Sequence, residues 1–415
     1  MRGGPAADLN RRVLLQLAAA SAALGACTPA ISDKPKHVAV IGGGIIGTSI
    51  AYHLARDGAQ VSLLERGGLA ERASRGTFAW INATWAKQPR HYHQFNQQGL
   101  SGWKRLQTEL DIPVRWGGSL EWFPSPERQI RLADQIAEQV AWGEPAEMLP
   151  QAAFTELEPN VNFGDTPRVA YSPNDGAVDP VLASRMLAEG ARKAGALIRE
   201  RCAVEAVTQL QDGQVELQTP CGGIICDTFV LATGADPQAT QTLAGIDIPQ
   251  RSTPGVIVVT KPLPRRVMNR IIVAPGVHIH QRDDGRVVLG EQAGAPDTEA
   301  HAMRLEGRPN RFPDPAFADQ HALRIMSIAA QFVPDLASAD IEDVFIGWRP
   351  LPLDGHPVLG PSPSQPNAYL AIMHSGVSLA PIVGDLVAKE ILSGTQAPGI
   401  AAYRPDRDFD LVRRY

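Results

Sequence analysis

The run Val38-Ala39-Val40-Ile41-Gly42-Gly43-Gly44-Ile45-Ile46-Gly47 constrains this chain more than any other stretch. Its apolar first half reads as a buried strand, its glycines as a tight turn, and the residues after them as a helix through Ala51, Leu54 and Ala55. Gly42 permits the turn, Gly44 lets backbone approach a phosphate without a Cβ, and Gly47 lets the helix lie close on the strand. The helix N-terminus offers N–H groups and the positive end of its dipole to an anion. A second strand, Gln60-Val61-Ser62-Leu63-Leu64, ends at Glu65, roughly twenty residues past the first glycine, where a carboxylate can accept hydrogen bonds from an adenosine ribose. A glycine turn alone says little. In this order, strand, turn, helix, strand and acid predict a dinucleotide-binding unit.

At 415 residues the chain is long for one core, which implies two domains. It is 44% hydrophobic and 20% charged with a net charge of −5, so no basic surplus points to nucleic acid. No apolar run is long enough for a mature segment to span a bilayer. The first thirty or so residues are of another kind. Asn10-Arg11-Arg12-Val13-Leu14-Leu15 is a twin-arginine pattern, an alanine-rich apolar run occupies 14–26, and Leu24-Gly25-Ala26-Cys27 resembles a lipoprotein lipobox. Together they predict export of a folded, cofactor-loaded protein tethered by one acylated cysteine. A disordered arm or a misassigned start is the plainer alternative. Cys202, Cys221 and Cys226 remain, an odd number that describes no disulfide framework. Cys221 and Cys226 flank Gly222-Gly223 at an apparent hairpin; a local bridge is open to them, although hairpin geometry rarely brings such positions together. No Cys-x-x-Cys pair or His-x-x-x-His helix supports a metal site.

Helical spacing is expected over 103–110, 127–140, 180–194, 322–331 and 376–392, and strands over 203–210, 214–219, 224–232 and 343–348. Residues 115–123 read as a strand pair around Gly117-Gly118, and short β runs recur over 255–260 and 271–290. The resulting expectation is an α/β protein. A Rossmann-like nucleotide domain is drawn from 36–85, 148–248 and 340–415, and an α+β domain on an antiparallel or mixed sheet is inserted as 86–147 and 249–339. Residues 1–35 are signal and linker.

Further marks accumulate in order: Glu65-Arg66, Gly176-Ala177-Val178-Asp179-Pro180, Leu231-Ala232-Thr233-Gly234-Ala235, Gly347-Trp348-Arg349-Pro350, Asp354-Gly355-His356-Pro357 and His374-Ser375-Gly376-Val377-Ser378. With these, the chain from Lys36 onward resembles the FAD enzymes of the D-amino-acid oxidase, glycine oxidase and sarcosine oxidase superfamily. The resemblance implies FAD rather than NAD, in a glutathione-reductase-like binding domain. Backbone at Ile45 and Ile46 would take the pyrophosphate, and Glu65 with Arg66 the ribose. The loop matching Ala73, Ser74, Phe78, Ala79 and Trp80 would wrap the flavin, and Val204 would meet the adenine. Gly234 marks the turn after the buried strand. The helix start at Gly376, Val377 and Ser378 would face the polar ring edge, where a positive helix end suits negative charge on reduced flavin.

By the same resemblance Arg349 would pair with a substrate carboxylate, a task that suits a planar guanidinium. His374 stands where glycine oxidase has arginine and would contact substrate or flavin, or simply pack. The implied reaction is oxidation of the C–N bond of a D-amino acid or N-substituted glycine by hydride transfer to flavin N5, with hydrolysis of the resulting imine. Its acceptor would be oxygen, or a membrane quinone or carrier. Oxidation of a hydroxy acid, a non-catalytic flavin-binding lipoprotein and an NAD-dependent dehydrogenase are the rivals. Three departures stand out. No tyrosine lies between Tyr171 and Tyr369, leaving His278 and His280, on one strand face, to line the pocket or face solvent. No cysteine comes after Cys226, and no histidine lies within 72–83, so the implied FAD is non-covalent.

Overall fold

The computed structural model describes residues 36–85, 87–291 and 307–411. The twin-arginine stretch and Cys27 lie outside the described residues. From Lys36 onward the chain forms one compact unit around two large sheets.

Six strands make the first sheet, in the order Val358–Pro361, Ala368–Ile372, Thr228–Leu231, His37–Ile41, Gln60–Leu64 and Leu197–Arg199. All pairings are parallel except that of Val358–Pro361 with Ala368–Ile372. The central strands are buried on both faces, as their unbroken apolar sequences require. Helices Ile45–Arg56, Arg90–Leu110, Pro180–Lys193 and Gly376–Ser393 pack through one core cluster on this sheet. Pro180 occupies the first helical position, and the Asp179 carboxylate caps the helix by accepting from the N–H groups of Val181 (2.9 Å) and Leu182 (3.0 Å).

The second sheet has eight strands, in the order Ile341–Pro352, Gln250–Thr260, Val287–Glu291, Val277–Gln281, Ile271–Ala274, Ser119–Glu121, Arg168–Ser172 and Glu147–Pro150. Its register sorts the side chains. Val256, Val258, Val277, Ile279, Val287, Leu289, Ile346 and Leu120 fall on one face and pack on Ala322, Ile325, Met326 and Ala329 of helix Pro315–Phe332. One row of the other face runs Phe345, Ile257, Gly290, His278, Val273 and Glu121 across six strands. The same face carries Gly347 and Arg349, two and four residues beyond Phe345.

Three expectations from the sequence need correcting. Residues 115–123 are not a hairpin: Val114–Trp116 pairs with Gly176–Val178, whereas Ser119–Glu121 joins the eight-stranded sheet. Residues 224–232 are two strands broken at Asp227, whose carboxylate accepts from His37 N–H at 2.7 Å and from the Gln214 amide at 2.7 Å. The segments 148–248 and 340–415 do not follow sheet lines, because Arg168–Ser172 and Ile341–Pro352 belong to the second sheet through continuous ladders. Among the described residues no helix is long and apolar enough to cross a membrane.

Candidate active site

The glycine turn is built by backbone crossing backbone. Gly42 has φ 111° and lies against the carbonyl of Ala232, while Gly47 lies against the carbonyl of Gly42, so a Cβ at either would collide with main chain. Helix Ile45–Arg56 begins at Gly44 with no acid in its first turn, and the Ile45 N–H donates to Ser74 Oγ at 3.0 Å. A neutral hydroxyl therefore stands over a positive helix end. Glu65 is fixed by the N–H groups of Gly43 (2.6 Å) and Gly67 (2.7 Å), one to each oxygen, which leaves lone pairs for ribose hydroxyls. Arg66 pairs with Asp236 at 2.7 Å, just past the turn at Gly234 (φ 60°). Val204 comes after residues whose N–H groups return to this strand end, Arg201 to Gly67 O and Cys202 to Glu65 O. Bare glycine backbone, helix N-terminus and fixed carboxylate suit a dinucleotide diphosphate and its ribose.

A second helix start converges on the first. Ser375 is left-handed (φ 60°) and opens Gly376–Ser393, and a Cβ on Gly376 would lie 3.3 Å from Ile46 Cγ1. Trp103 Nε1 donates to the Val377 carbonyl at 2.8 Å. Ser378 Oγ accepts from Asn82 N–H at 3.0 Å and donates to the Trp80 carbonyl at 3.2 Å, tying this helix to the segment after the loop. His374, half-buried, has Nδ1 3.2 Å from Ser375 Oγ. Two positive helix ends thus face one region, as a cofactor with a diphosphate and an anionic reduced ring requires.

The loop carrying Ala73, Ser74 and Phe78 reaches from this cradle to the second sheet. Phe78 stacks edge-on to His280, with ring centroids 4.8 Å apart, and lies 5.4 Å from His278. Ala79 is left-handed (φ 63°), and Trp80 sends its indole N–H to Asp175 at 2.9 Å. His280 donates from Nε2 to the Phe78 carbonyl at 2.9 Å. Burial holds the His280 pKa down to about 3, and burial together with the weaker effect of the Arg349 charge holds His278 down to about 4. Both rings are neutral at pH 7. His280 is 3% exposed and does not face solvent, while His278 is half-buried with its Nε2 buried. The Arg349 guanidinium lies over Gly255, where a Cβ would stand 2.9 Å from Nη2 and 3.2 Å from Nε. A glycine makes the floor for that plane.

Residues 37–390 match the family model described as FAD dependent oxidoreductase. The chain belongs to this family. It is 27% identical to glycine oxidase of Bacillus licheniformis over 89% of this chain and 96% of that protein. Mitochondrial dimethylglycine dehydrogenase of Rattus norvegicus is 26% identical over 91% of this chain, which spans 45% of that longer protein. Among solved structures, glycine oxidase from Geobacillus kaustophilus superposes with a TM-score of 0.79 at 23% identity, over 90% of this chain and 100% of the other, so the fold is shared.

In this FAD-dependent oxidoreductase the structure also gathers residues that sequence reading missed. Glu121 and Asp175, each 1% exposed, lie among Trp80, Thr84, Trp85 and Ser119. Glu121 accepts from Trp85 Nε1 at 2.5 Å. Asp175 accepts from Trp80, Ser119 (2.8 Å), Thr84 and the Ala83 N–H (3.2 Å). Lys87, part-buried, donates to Asn82 Oδ1 at 2.6 Å and Asn96 Oδ1 at 2.9 Å. Local sequence carries no signal for them, because strand register brings Glu121 into the row of His278.

Burial, aided by the Asp175 charge, pushes Glu121 up to about 8 from an ordinary 4.5, and burial pushes Asp175 up to about 6. A raised folded pKa means that stability is fully present below the unfolded value and is lost as pH rises through the folded one. Glu121→Gln removes that loss between pH 4.5 and about 8. Urea unfolding at pH 5, 7 and 8.5 should show the variant gaining on wild type as pH rises, by on the order of a few kcal/mol across the window. A pH-independent difference would show that Glu121 ionises as freely in the fold as in the unfolded chain.

Proposed function

We propose that this flavoenzyme oxidises the C–N bond of a small amine that carries a carboxylate, either a D-amino acid or an N-substituted glycine. The observation that supports this reading most is Arg349, laid against Gly255 on the sheet face that carries His278 and close enough to depress it. A guanidinium carries its N–H donors in a fixed fork that matches the geometry of a carboxylate. Glycine and dimethylglycine, in the names of two similar proteins, each join an amine to a carboxylate.

Bound flavin supplies the two-electron sink for the oxidation. The chain's own residues orient and desolvate. Arg349 holds the acid group; His278, near enough to feel its charge, is kept neutral and is packed by Phe78 and Trp80. His374 lies at the last helix start, beside Ser375, and would contribute there to the flavin site. The cradle from Gly42 to Gly47, Glu65 and Ser74 would hold FAD non-covalently.

Anaerobic titration of the purified enzyme with D-amino acids, N-methyl amino acids and hydroxy acids tests the reading. Amines bearing a carboxylate should bleach the flavin absorbance; bleaching by hydroxy acids alone would overturn it. Acid precipitation of the same sample should release the yellow colour into the supernatant. The enzyme is further proposed to be exported and tethered through Cys27, with a quinone or other membrane carrier as acceptor. Reoxidation by dissolved oxygen as fast as turnover would decide for oxygen instead.

A further inference from the structure

Beside the strand end that holds Glu65, Cys202 and Cys221 share one neighbour, the Thr219 hydroxyl. Arg201 is left-handed (φ 56°), and the N–H groups of Arg201 (2.9 Å) and Cys202 (2.8 Å) donate to Gly67 O and Glu65 O. The segment carrying Cys202, a fully buried side chain, is thereby clamped to the strand end that holds Glu65. Cys221 sits exposed on the turn between Val215–Gln218 and Ile224–Cys226. Its N–H donates to Thr219 Oγ1 at 3.1 Å, the same atom that the Cys202 thiol approaches at 3.3 Å. Its own Sγ lies 3.9 Å from the carbonyl of Arg201, the residue before Cys202, and its carbonyl accepts from Arg199 at 3.0 Å. Cys226 is buried on the neighbouring strand beside Val215, its thiol pushed up to about 12 by burial. The hairpin alternative of the sequence, Cys221 with Cys226, is therefore not the pair the fold assembles.

We propose that Cys202 and Cys221 form a disulfide site that staples the turn at 219–223 to the segment beneath the FAD adenosine. The oxidant is a disulfide-bearing thiol compound or a disulfide-carrying oxidoreductase. The exposed Cys221, as thiolate, attacks one sulfur of that oxidant, forming a mixed disulfide and expelling one thiolate. The Cys202 thiolate then attacks Cys221 Sγ, the mixed bond breaks, and the second thiolate leaves. Two protons pass from the cysteines to the two departing thiolates, and two electrons pass from protein to oxidant. The closed bond encloses the hairpin of Ala206–Gln209 and Val215–Gln218, restricting the unfolded chain. Bond formation does not depend on the substrate reading; the effect on FAD rests on the placement of adenosine beside Glu65 and Val204.

The test treats purified holoenzyme with oxidised glutathione or with dithiothreitol. The expected result is a mass lower by two hydrogens after oxidation, a non-reducing peptide map linking residues 202 and 221, and loss of the link in C202S and C221S but not in C226S. A stable glutathione adduct on Cys221 with Cys202 still free, a 221–226 link, or no oxidation would overturn the proposal. Flavin fluorescence during heating gives a second readout. Oxidised wild type should release FAD at a higher temperature than reduced wild type, and C221S should show no such difference. If the bond forms and release is unchanged, its coupling to the cofactor is overturned.

Discussion

Arg349→Lys is expected to lower kcat/KM for a carboxylate-bearing amine by about two orders of magnitude while FAD content and visible spectrum remain those of wild type. The guanidinium plane rests on Gly255, which fixes its orientation before ligand arrives. A lysine keeps the charge and loses the second parallel hydrogen bond and the plane that aims it, on the order of 2–3 kcal/mol at a half-buried site. Arg349→Met removes the charge as well and should cost more. A carboxylate-free analogue of the same amine separates recognition from folding: its slow oxidation should be equal in wild type and both variants. Equal losses for both ligands would end the carboxylate assignment. The methionine variant has a second consequence. Burial is the first cause of the low His278 pKa and the Arg349 charge the second, so removing the charge should raise that pKa from about 4 without bringing it to pH 7. An NMR titration of the ring protons reads this directly.

Residues that act through their immediate neighbours were legible, and residues that act through register were not. Gly42, Gly47 and Glu65 lie in one βαβ stretch, and the collisions that forbid a Cβ at the two glycines arise within that unit and the strand end at Ala232. Asp179 and Pro180 announce a helix start because cap and first turn are adjacent in sequence. Gly117-Gly118 misled for the converse reason. Gly118 (φ 86°) abuts the Ser172 carbonyl and passes the chain between sheets, whereas its dipeptide resembles a hairpin turn. Glu121 enters the row of His278 through a parallel pairing with Ile271–Ala274, a strand far along the sequence, which no window of residues reveals. The His278 face of the second sheet was half legible. Alternation put His278 and His280 together, but only the ladder shows that they share this face with Arg349.

Gly347→Ala is expected to strip the enzyme of FAD and to lower its stability, although residue 347 lies on a strand of the second sheet. A Cβ there would fall inside the peptide of Gly76, closest to its carbonyl oxygen and 2.8 Å from its Cα. The collision is reciprocal, since a Cβ on Gly76 would meet Gly347 N at 2.6 Å and Phe345 Cδ1 at 2.9 Å. Main chain cannot swing aside as a side-chain tip can, so the strand and the loop must separate. Overpacking of this kind costs about 1–3 kcal/mol where side chains yield, and more where backbone must. The loop that moves carries Ser74, the hydroxyl partner of the first helix, and Phe78, the cover of His278 and His280. The strand that moves carries Arg349 two residues on. Flavin content per chain after gel filtration should fall at least tenfold, and the thermal midpoint should drop by several degrees. Gly76→Ala should reproduce both effects, and combining the two substitutions should not rescue either, because each Cβ strikes the other residue's backbone rather than the other's Cβ. Retention of full FAD by Gly347→Ala would mean either that loop and strand part without disturbing the cradle or that Ser74 is dispensable to it.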